Sequence, residues 1–204
     1  RWKESPSALE TDPAGWADLM PGPGLKGWKR VVLPADPPSP RNPWSISPDG
    51  KTLLCKGEKI KEMLLHEIER ADGTFHVEWR FVGGPKNEYN GGVYVRTLLD
   101  GTIWHQAQVA EQPKRPIVGD LFTDILEGGK PKRVEVLSSL PDRARPPGEW
   151  NTLEVTCRGS TIAVWVNGAT TVEWNECPLA KGHIGLQAEF YDLELRNLKF
   201  KPLP

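Results

Sequence analysis

The feature that most constrains the fold is an alternation of apolar and polar residues that recurs between turn residues. The segment FHVEWRF at 75–81 places apolar side chains on one face of an extended strand and His76, Glu78 and Arg80 on the other. The segment GVYVR at 92–96 repeats this arrangement. Each segment therefore predicts a strand with one face packed in a core and the other rich in polar groups.

Further short strands are predicted between turn signals elsewhere in the chain. They cover residues 103–109, 153–157, 162–166, 183–187 and 193–200. Residues 59–70 have some charge spacing typical of a helix but no good cap, so we expect strand and loop there. Many short strands and few helices predict an all-β fold, an antiparallel two-sheet sandwich of the jelly-roll type.

The length of 204 residues suits one domain that spans residues 1–204. Clusters of proline and glycine at 21–24 and 37–40 break regular elements, so residues 1–43 are expected to form a loop-rich wrap. Residues 110–149, rich in proline, lysine, arginine and glycine, are expected to form a long surface excursion.

Charge and hydropathy exclude some classes of partner. The 26 basic and 27 acidic residues nearly cancel, so the chain has no basic field to gather nucleic acid. No window approaches the roughly 18 consecutive apolar residues of a membrane-spanning helix. The chain begins Arg1-Trp2-Lys3 without an initiator methionine, and we expect that a signal peptide has been removed.

The three cysteines lack the Cys-x-x-Cys spacing of metal or redox sites. Cys55, Cys157 and Cys177 can form at most one disulfide, and their redox state is left open. Cys157, in an apolar strand, is expected to be buried.

Five sequence patches occur in a recognisable order along the chain. They are NGGVYVR at 90–96, WHQAQV at 104–109, GEWNT at 148–152, GHIGLQ at 182–187 and LRNL at 195–198. With GW at 15–16, LKGW at 25–28 and FHVEWR at 75–80, they make the chain resemble the 3-keto-disaccharide hydrolase domain family over almost its whole length.

This resemblance implies a concanavalin A-like jelly roll whose concave sheet face carries a carbohydrate site. It also implies export to the periplasm or the cell exterior. Members of the family are thought to act on sugars already oxidised to a ketone at carbon 3 and to cleave the glycosidic bond. The substrate would then be a keto-sugar glycoside supplied by an upstream sugar oxidoreductase, and no organic cofactor would be needed.

If the strands lie as the resemblance implies, one strand phase faces the core and the opposite phase lines the concave face. The core phase includes Val77, Trp79, Val93, Val95, Ile184 and Leu186. The opposite phase contains Glu78, Arg80, Tyr94, Arg96, Trp104, Gln106, Gln108, Gln187 and Glu189. Hydroxyl groups of a sugar pair with amides, carboxylates and guanidinium groups, while an indole packs on the C–H face of the ring.

A ketone at carbon 3 acidifies the proton on carbon 2, and loss of that proton allows expulsion of the group on carbon 1. The site then needs a base, a positive group for the enolate oxygen and a proton donor for the leaving oxygen. Glu189 is the first candidate for the acid/base and Glu78 the second. Arg96 or Arg80 would hold the developing oxyanion, because a guanidinium stays charged. Each carboxylate has the competing role of a structural partner for an arginine.

Two positions depart from the family pattern. The chain has His105-Gln106-Ala107-Gln108 where the family often has Tyr-Glu-x-Gln, and Glu189 where the family often has a histidine. The amide at Gln106 slightly favours the alternative function, a non-catalytic, lectin-like carbohydrate-binding domain. A third hypothesis is an interaction domain of a larger surface assembly.

The remaining candidate residues leave alternatives open. His105 lies in the core phase, which favours a buried structural histidine over a base or a ligand. Trp165 is expected either to stack on a ligand or to lie under the long loop. No histidine spacing typical of zinc occurs. The metal is unknown, with calcium left open through Asp120 or Asp124.

Overall fold

Two large antiparallel sheets pack face to face in a computed structural model, which describes residues 4–33, 36–83, 88–112 and 115–204. In chain order the elements are α1 Ala8–Thr11, β1 Ala17–Asp18, a 3-10 turn Pro23–Leu25, β2 Trp28–Val31, β3 Trp44–Ile46, β4 Leu53–Cys55, β5 Lys61–His66, β6 Gly73–Phe81, β7 Gly92–Thr97, β8 Trp104–Gln108, β9 Glu111–Gln112, β10 Arg115–Pro116, β11 Leu121–Glu127, β12 Lys130–Val136, β13 Asn151–Arg158, β14 Thr161–Val166, β15 Ala169–Trp174, β16 His183–Glu189 and β17 Leu193–Pro202. The predicted all-β jelly-roll sandwich is confirmed.

The eight-stranded sheet has the order β15-β14-β13-β6-β17-β4-β3, with β1 paired to β17. The long strand β6 lies between β13 and β17, with Glu154 opposite His76 and Arg196 opposite Glu78. The seven-stranded sheet has the order β12-β11-β8-β7-β16-β5-β2. Strands β6 and β7 are consecutive along the chain but belong to different sheets, which decides where the candidate residues lie.

The core lies between the two sheets and is built from the alternate residues that the sequence assigns to it. The inward-facing side chains of β6, β7 and β16 are buried in one apolar cluster: Val77, Trp79, Val93, Val95, Ile184 and Leu186. Burying one large apolar side chain contributes roughly 1.5–3 kcal/mol, so this layer accounts for a large part of the stability.

The middle part of residues 110–149, expected as a long surface excursion, is exposed for the most part and consists of strands rather than loop. Strands β11 and β12 form a hairpin at the edge of the seven-stranded sheet, with Thr123 paired to both His105 and Val134. Gly128 and Gly129 make its turn with φ of +59° and +79°, a conformation that favours glycine. In the described part of the expected loop-rich segment 1–43, the short elements α1, β1, the 3-10 turn and β2 interrupt the loops.

All three cysteines are free thiols buried in the main apolar cluster. Burial raises the pKa of Cys55 and of Cys157 to about 12. The expectation that Cys157 is buried is confirmed. Among the described residues, the single α-helix has 4 residues and no helix is long and apolar enough to cross a membrane.

Candidate functional site

A cavity of about 240 Å³ opens on the outer face of the seven-stranded sheet. Six of the predicted site residues line it, namely Tyr94, Trp104, Gln106, Gln108, Gln187 and Glu189. The other lining residues are Leu33, Lys61, Asn90, Gln112, Ile117, Phe122 and Arg133. Strands β7, β8 and β16 are hydrogen-bonded neighbours, so their outward side chains converge on this cavity.

The base of the cavity is partly apolar. Tyr94 and Trp104 belong to a small buried cluster with three aliphatic side chains of β2 and β5. Their rings meet edge to face with centroids 5.9 Å apart. The guanidinium of Arg133 lies 4.8 Å from the Trp104 ring centroid and pairs with Asp124, so the indole has a cation on one side.

Three glutamines form a hydrogen-bonded chain that ends on a carboxylate. The amide of Gln108 donates to Gln106 Oε1 at 2.7 Å, and the amide of Gln106 donates to Gln187 Oε1 at 2.5 Å. The amide of Gln187 in turn donates to Oε2 of Glu189. The chain crosses from β8 over β7 to β16.

Gly92 makes this crossing sterically feasible. A Cβ atom added to Gly92 would lie 2.1 Å from Nε2 of Gln106, far inside van der Waals contact. The position on β7 beneath the amide of Gln106 is therefore empty because residue 92 has no side chain. Gly92 precedes Tyr94 by two residues in the sequence, and the structure shows that its lack of a side chain makes room for the amide of Gln106.

Glu189 is a half-buried carboxylate whose pKa is raised mainly by burial. The negative charge of Asp36 raises its pKa further, whereas Lys61 and the hydrogen bond from Gln187 lower it. Lys61 is the register partner of Glu189 on β5, and its Nζ lies 3.1 Å from Oδ1 of Asp36. Burial also raises the pKa of Tyr94, so its phenol stays neutral and can donate a hydrogen bond.

The structure does not bring Glu78 and Arg80 to this cavity. Both lie on β6 of the eight-stranded sheet, on its outer face, where they pair with β17: Arg196 donates to Glu78 at 2.7 Å and Arg80 donates to Glu194 at 2.7 Å. The expectation that they share a hollow with residues of β7 and β8 is wrong. Alternation fixes the face of a strand, but a sandwich has two outer faces.

The guanidinium groups of Arg80 and Arg196 also lie over the ring of Trp150, at 4.6 Å and 4.0 Å from its centroid. We call these ion pairs and Trp150 the charged ladder. The carboxylate of Glu78 also accepts a hydrogen bond from Asn197. Glu78 and Arg80 therefore have the competing structural role, because each forms an ion pair with a residue of β17.

Arg96 is also absent from the cavity, and a β-bulge is the reason. Three steps along β7, from Thr97 to Tyr94, oppose two steps along β16, from His183 to Gly185. Arg96 has a φ of +44° and is 2% exposed, and it donates to Leu179 O at 2.8 Å. It also contacts Asp72 at 2.6 Å. The bulge turns the guanidinium away from the outer face.

His105 is completely buried, as its strand phase predicts, and burial lowers its pKa to about 4. Its ring nitrogens contact the carbonyl oxygen of Arg96 at 3.0 Å and Sγ of Cys177 at 3.5 Å. Trp165 donates to Ser5 Oγ at 3.1 Å and lines a different cleft on the eight-stranded sheet. Neither residue contributes to the cavity of Glu189.

Sequence reasoning missed Lys61, Asp36 and Arg133. In β5, Lys61 shares its face with apolar side chains of the small cluster, so the strand shows no polar stripe. Arg133 lies in the hairpin that was expected to be loop. The pairing of Lys61 with residue 189 was the signal that would have identified it, and pairing of distant strands is not readable from local alternation.

The aspartates considered for calcium are already paired with arginines. Asp120 accepts hydrogen bonds from Arg115 and from the backbone N–H of Ser138, both at 2.7 Å. Asp124 pairs with Arg133. No group of three or more His, Cys, Asp or Glu side chains that could hold a metal ion occurs in the part of the chain that the structure describes. Asp120 and Asp124 thus each have an arginine partner, and calcium binding through them stays a prediction.

Several solved structures share this fold. Two proteins of Parabacteroides distasonis, each named a "putative glycosyl hydrolase", superpose with TM-scores of 0.66 and 0.63 at 16% and 19% identity. The matches cover 99% and 92% of this chain and 100% and 99% of theirs. The carbohydrate binding module CBM66 from Bacillus subtilis has a TM-score of 0.60 at 14% identity, with 84% of this chain and 93% of the module covered.

No curated protein matches the sequence. The model of one protein family does match it, over residues 15–201, from the loop before β1 to the end of β17. This range includes every residue of the cavity that Glu189 lines. The chain therefore belongs to the family of 3-keto-alpha-glucoside-1,2-lyase-like domains.

Proposed function

We propose that this protein cleaves 3-keto-disaccharides or related oxidised glycosides, with the sugar bound in the cavity on the seven-stranded sheet. The observation that carries the proposal is the half-buried carboxylate of Glu189, which is the only carboxylate among the described residues that line the cavity and lies beside aromatic and amide groups. Such a carboxylate has the character of a general base near neutral pH, because burial makes it hold a proton more strongly than a solvated glutamate.

The reaction that fits one carboxylate is an elimination across carbons 1 and 2. Glu189 takes the proton from carbon 2, and the electron pair of that C–H bond enters the enolate of the ketone. The enolate then re-forms the ketone as a double bond forms between carbons 1 and 2, and the bond from carbon 1 to the glycosidic oxygen breaks. The leaving oxygen keeps the bonding pair and takes the proton from Glu189.

The sequence predicted that Arg80 or Arg96 would stabilise the enolate oxygen, but other cationic residues lie at the cavity. Lys61 lies opposite Glu189 in the register, and Arg133 caps Trp104. We assign the developing negative charge to Lys61 and hydroxyl recognition to Arg133 and the glutamines. A fixed cation at a developing oxyanion contributes roughly 10²–10³-fold to a rate.

An ordinary glycosidase is disfavoured by the composition of the cavity. Retaining and inverting enzymes use two carboxyl groups about 5–9.5 Å apart. Of the described residues that line the cavity, Glu189 is the only one with a carboxylate. The nearby carboxylate of Asp36 pairs with Lys61.

The family membership and the shared fold support a sugar ligand. The name of the family refers to a lyase that acts on a 3-keto-glucoside, and the similar solved structures include proteins named for glycoside hydrolysis and for carbohydrate binding. A 3-keto sugar is made by oxidation of the carbon 3 hydroxyl, so the proposal includes a sugar oxidoreductase that acts earlier. It also includes export, as expected for the family.

The test compares turnover of 3-keto-disaccharides with turnover of the unoxidised sugars. We expect turnover of the keto-sugars alone, because only they have an acidified proton on carbon 2. Failure to cleave any of them at high protein concentration would remove the enzymatic claim. Glu189→Gln should lower kcat by about 10²–10⁴-fold. Glu78→Gln is the matched control on the opposite sheet and should retain the rate.

The second candidate function is a non-catalytic carbohydrate-binding domain. The buried Tyr94–Trp104 pair and the row of glutamine amides favour it, because such groups recognise a sugar without doing chemistry. Calorimetry with Glu189→Gln separates the two functions. A lyase should lose turnover and keep sugar affinity, whereas a pure binder should show a changed affinity and no turnover in either form.

A further inference from the structure

Four side chains of the cavity, three glutamines and Glu189, form one connected hydrogen-bonded chain, and the carboxylate at its end sets the direction of every bond. Each glutamine has a donor NH₂ and an acceptor oxygen, whereas an ionised carboxylate only accepts. Gln187 must therefore turn its NH₂ toward Glu189 Oε2 and its oxygen toward Gln106. Gln106 must then donate to Gln187 and accept from Gln108. A reversal at any member would bring two donors or two acceptors together.

We propose that Gln108, Gln106 and Gln187 are positioning residues that act as a one-way relay, which keeps Oε2 of Glu189 as a hydrogen-bond acceptor and leaves Oε1 for the ligand. The inference deepens the proposed function and rests on the role of Glu189 there. At the other end, Oε1 of Gln108 receives no hydrogen bond from the described residues. A hydroxyl of the ligand that donates to this oxygen is therefore coupled through three amides to the acid/base.

Gly92 is part of this relay because the amide of Gln106 occupies the space that a side chain at residue 92 would fill. A methyl group there would lie 2.1 Å from Nε2 of Gln106 and would displace the amide. Gly92→Ala thus breaks the relay at its centre without removing any polar atom. The amide at residue 106, which in the sequence looks like the loss of a carboxylate, becomes the member that joins β8 to β16.

Several titratable groups surround Glu189, and a titration must separate their effect on its pKa from the effect of the relay. Lys61 faces it from β5, Asp36 from the loop after β2, Tyr94 from β7 and Tyr191 from the chain after β16. The three hydrogen bonds of the relay join only Gln108, Gln106, Gln187 and Glu189. A change at Gln106 or Gly92 therefore leaves these charges in place and tests the relay itself.

The experiment measures the carboxyl ¹³C shift of Glu189 against pH in the free protein, with the resonance assigned by its loss in Glu189→Gln. Gln106→Met and Gly92→Ala should each raise the midpoint by about 0.5–1 pH unit, since a Gln187 amide that Gln106 no longer holds in place donates less well to Glu189 and the ionised form is disfavoured. The acid limb of the pH–rate profile should move in the same direction. Gln112→Leu, which changes a glutamine outside the relay, should leave the midpoint unchanged.

Neither residue 92 nor residue 106 forms a hydrogen bond with Glu189, so the relay predicts that a substitution there acts on Glu189 through Gln187. An unchanged midpoint in a folded Gly92→Ala or Gln106→Met protein would therefore overturn the relay. A shift in Gln106→Met without one in Gly92→Ala would also overturn it and would indicate desolvation alone. Thermal unfolding identifies a variant that does not fold, and the other variant then decides. The titration needs no sugar, so its outcome is separate from a failure to cleave 3-keto-disaccharides.

Discussion

At the scale of single residues, Glu189 holds its proton more tightly in the folded chain than in the unfolded one. Burial is the main cause and the charge of Asp36 adds to it, against the opposing effects of Lys61 and Gln187. A glutamate with a raised folded-state pKa destabilises the fold once it ionises. The property that suits Glu189 for proton transfer therefore has a cost in stability.

Glu189→Gln should therefore stabilise the protein at neutral pH. Below the unfolded-state pKa of 4.5 the wild-type side chain is neutral in both states, so the two proteins should have similar free energies of unfolding. As the pH rises through the raised folded-state value, the wild type should lose stability relative to the variant. Urea unfolding from pH 4 to pH 8 measures this difference. A wild type that gains on the variant with rising pH would contradict the raised pKa.

At the scale of elements, the bulge in β7 explains why one strand supplies both a cavity residue and a structural arginine. Tyr94 before the bulge faces outward, while Arg96 within it is buried against Asp72 and the carbonyl oxygens of Gly159 and Leu179. The close approach of β16 requires Gly182, whose added Cβ would meet the Arg96 backbone at 2.5 Å. Arg96 thus connects β7 to three loops, which lie before β6, after β13 and before β16.

Arg96→Met should destabilise the fold by roughly 1.5–3 kcal/mol, because Asp72 and the carbonyl oxygens of Gly159 and Leu179 lose the buried guanidinium that donates to them. Arg80→Met is the matched control, since its partly exposed ion pair contributes about 0–1 kcal/mol. Chemical denaturation of both variants measures the difference. Equal losses would show that burial of Arg96 carries no energetic weight.

Local alternation was sufficient to place the cavity residues of β7, β8 and β16 on the outward face of their strands. Tyr94, Gln106 and Gln187 share a face because these strands are neighbours in one sheet. Alternation could not place Glu78, since it does not specify which sheet receives β6. Positive φ at Arg96 and the long-range partner of Lys61 are likewise tertiary properties, set by packing rather than by local sequence.

At the scale of the whole molecule, the two outer faces have different chemistry. The seven-stranded sheet presents a cavity with aromatic and amide groups, while the eight-stranded sheet presents the charged ladder between β6 and β17. The shared apolar core separates them. The two faces should therefore respond independently to substitution.

Combining Lys61→Met with Arg80→Met should change the free energy of unfolding by the sum of the single effects, to within about 0.5 kcal/mol. Glu78→Gln combined with Arg196→Met should deviate from the sum, because these side chains pair at 2.7 Å. Double-mutant cycles in urea provide both comparisons. Strong coupling across the sandwich would contradict two separate faces.

All three cysteines are buried, so their reaction with a thiol reagent reports opening of the sandwich. Cys55 and Cys157 are thiols rather than thiolates near neutral pH, and an alkylating reagent reaches them only when the sheets part. The rate of labelling therefore counts separations of the sandwich directly, without a dye, a ligand or an engineered probe.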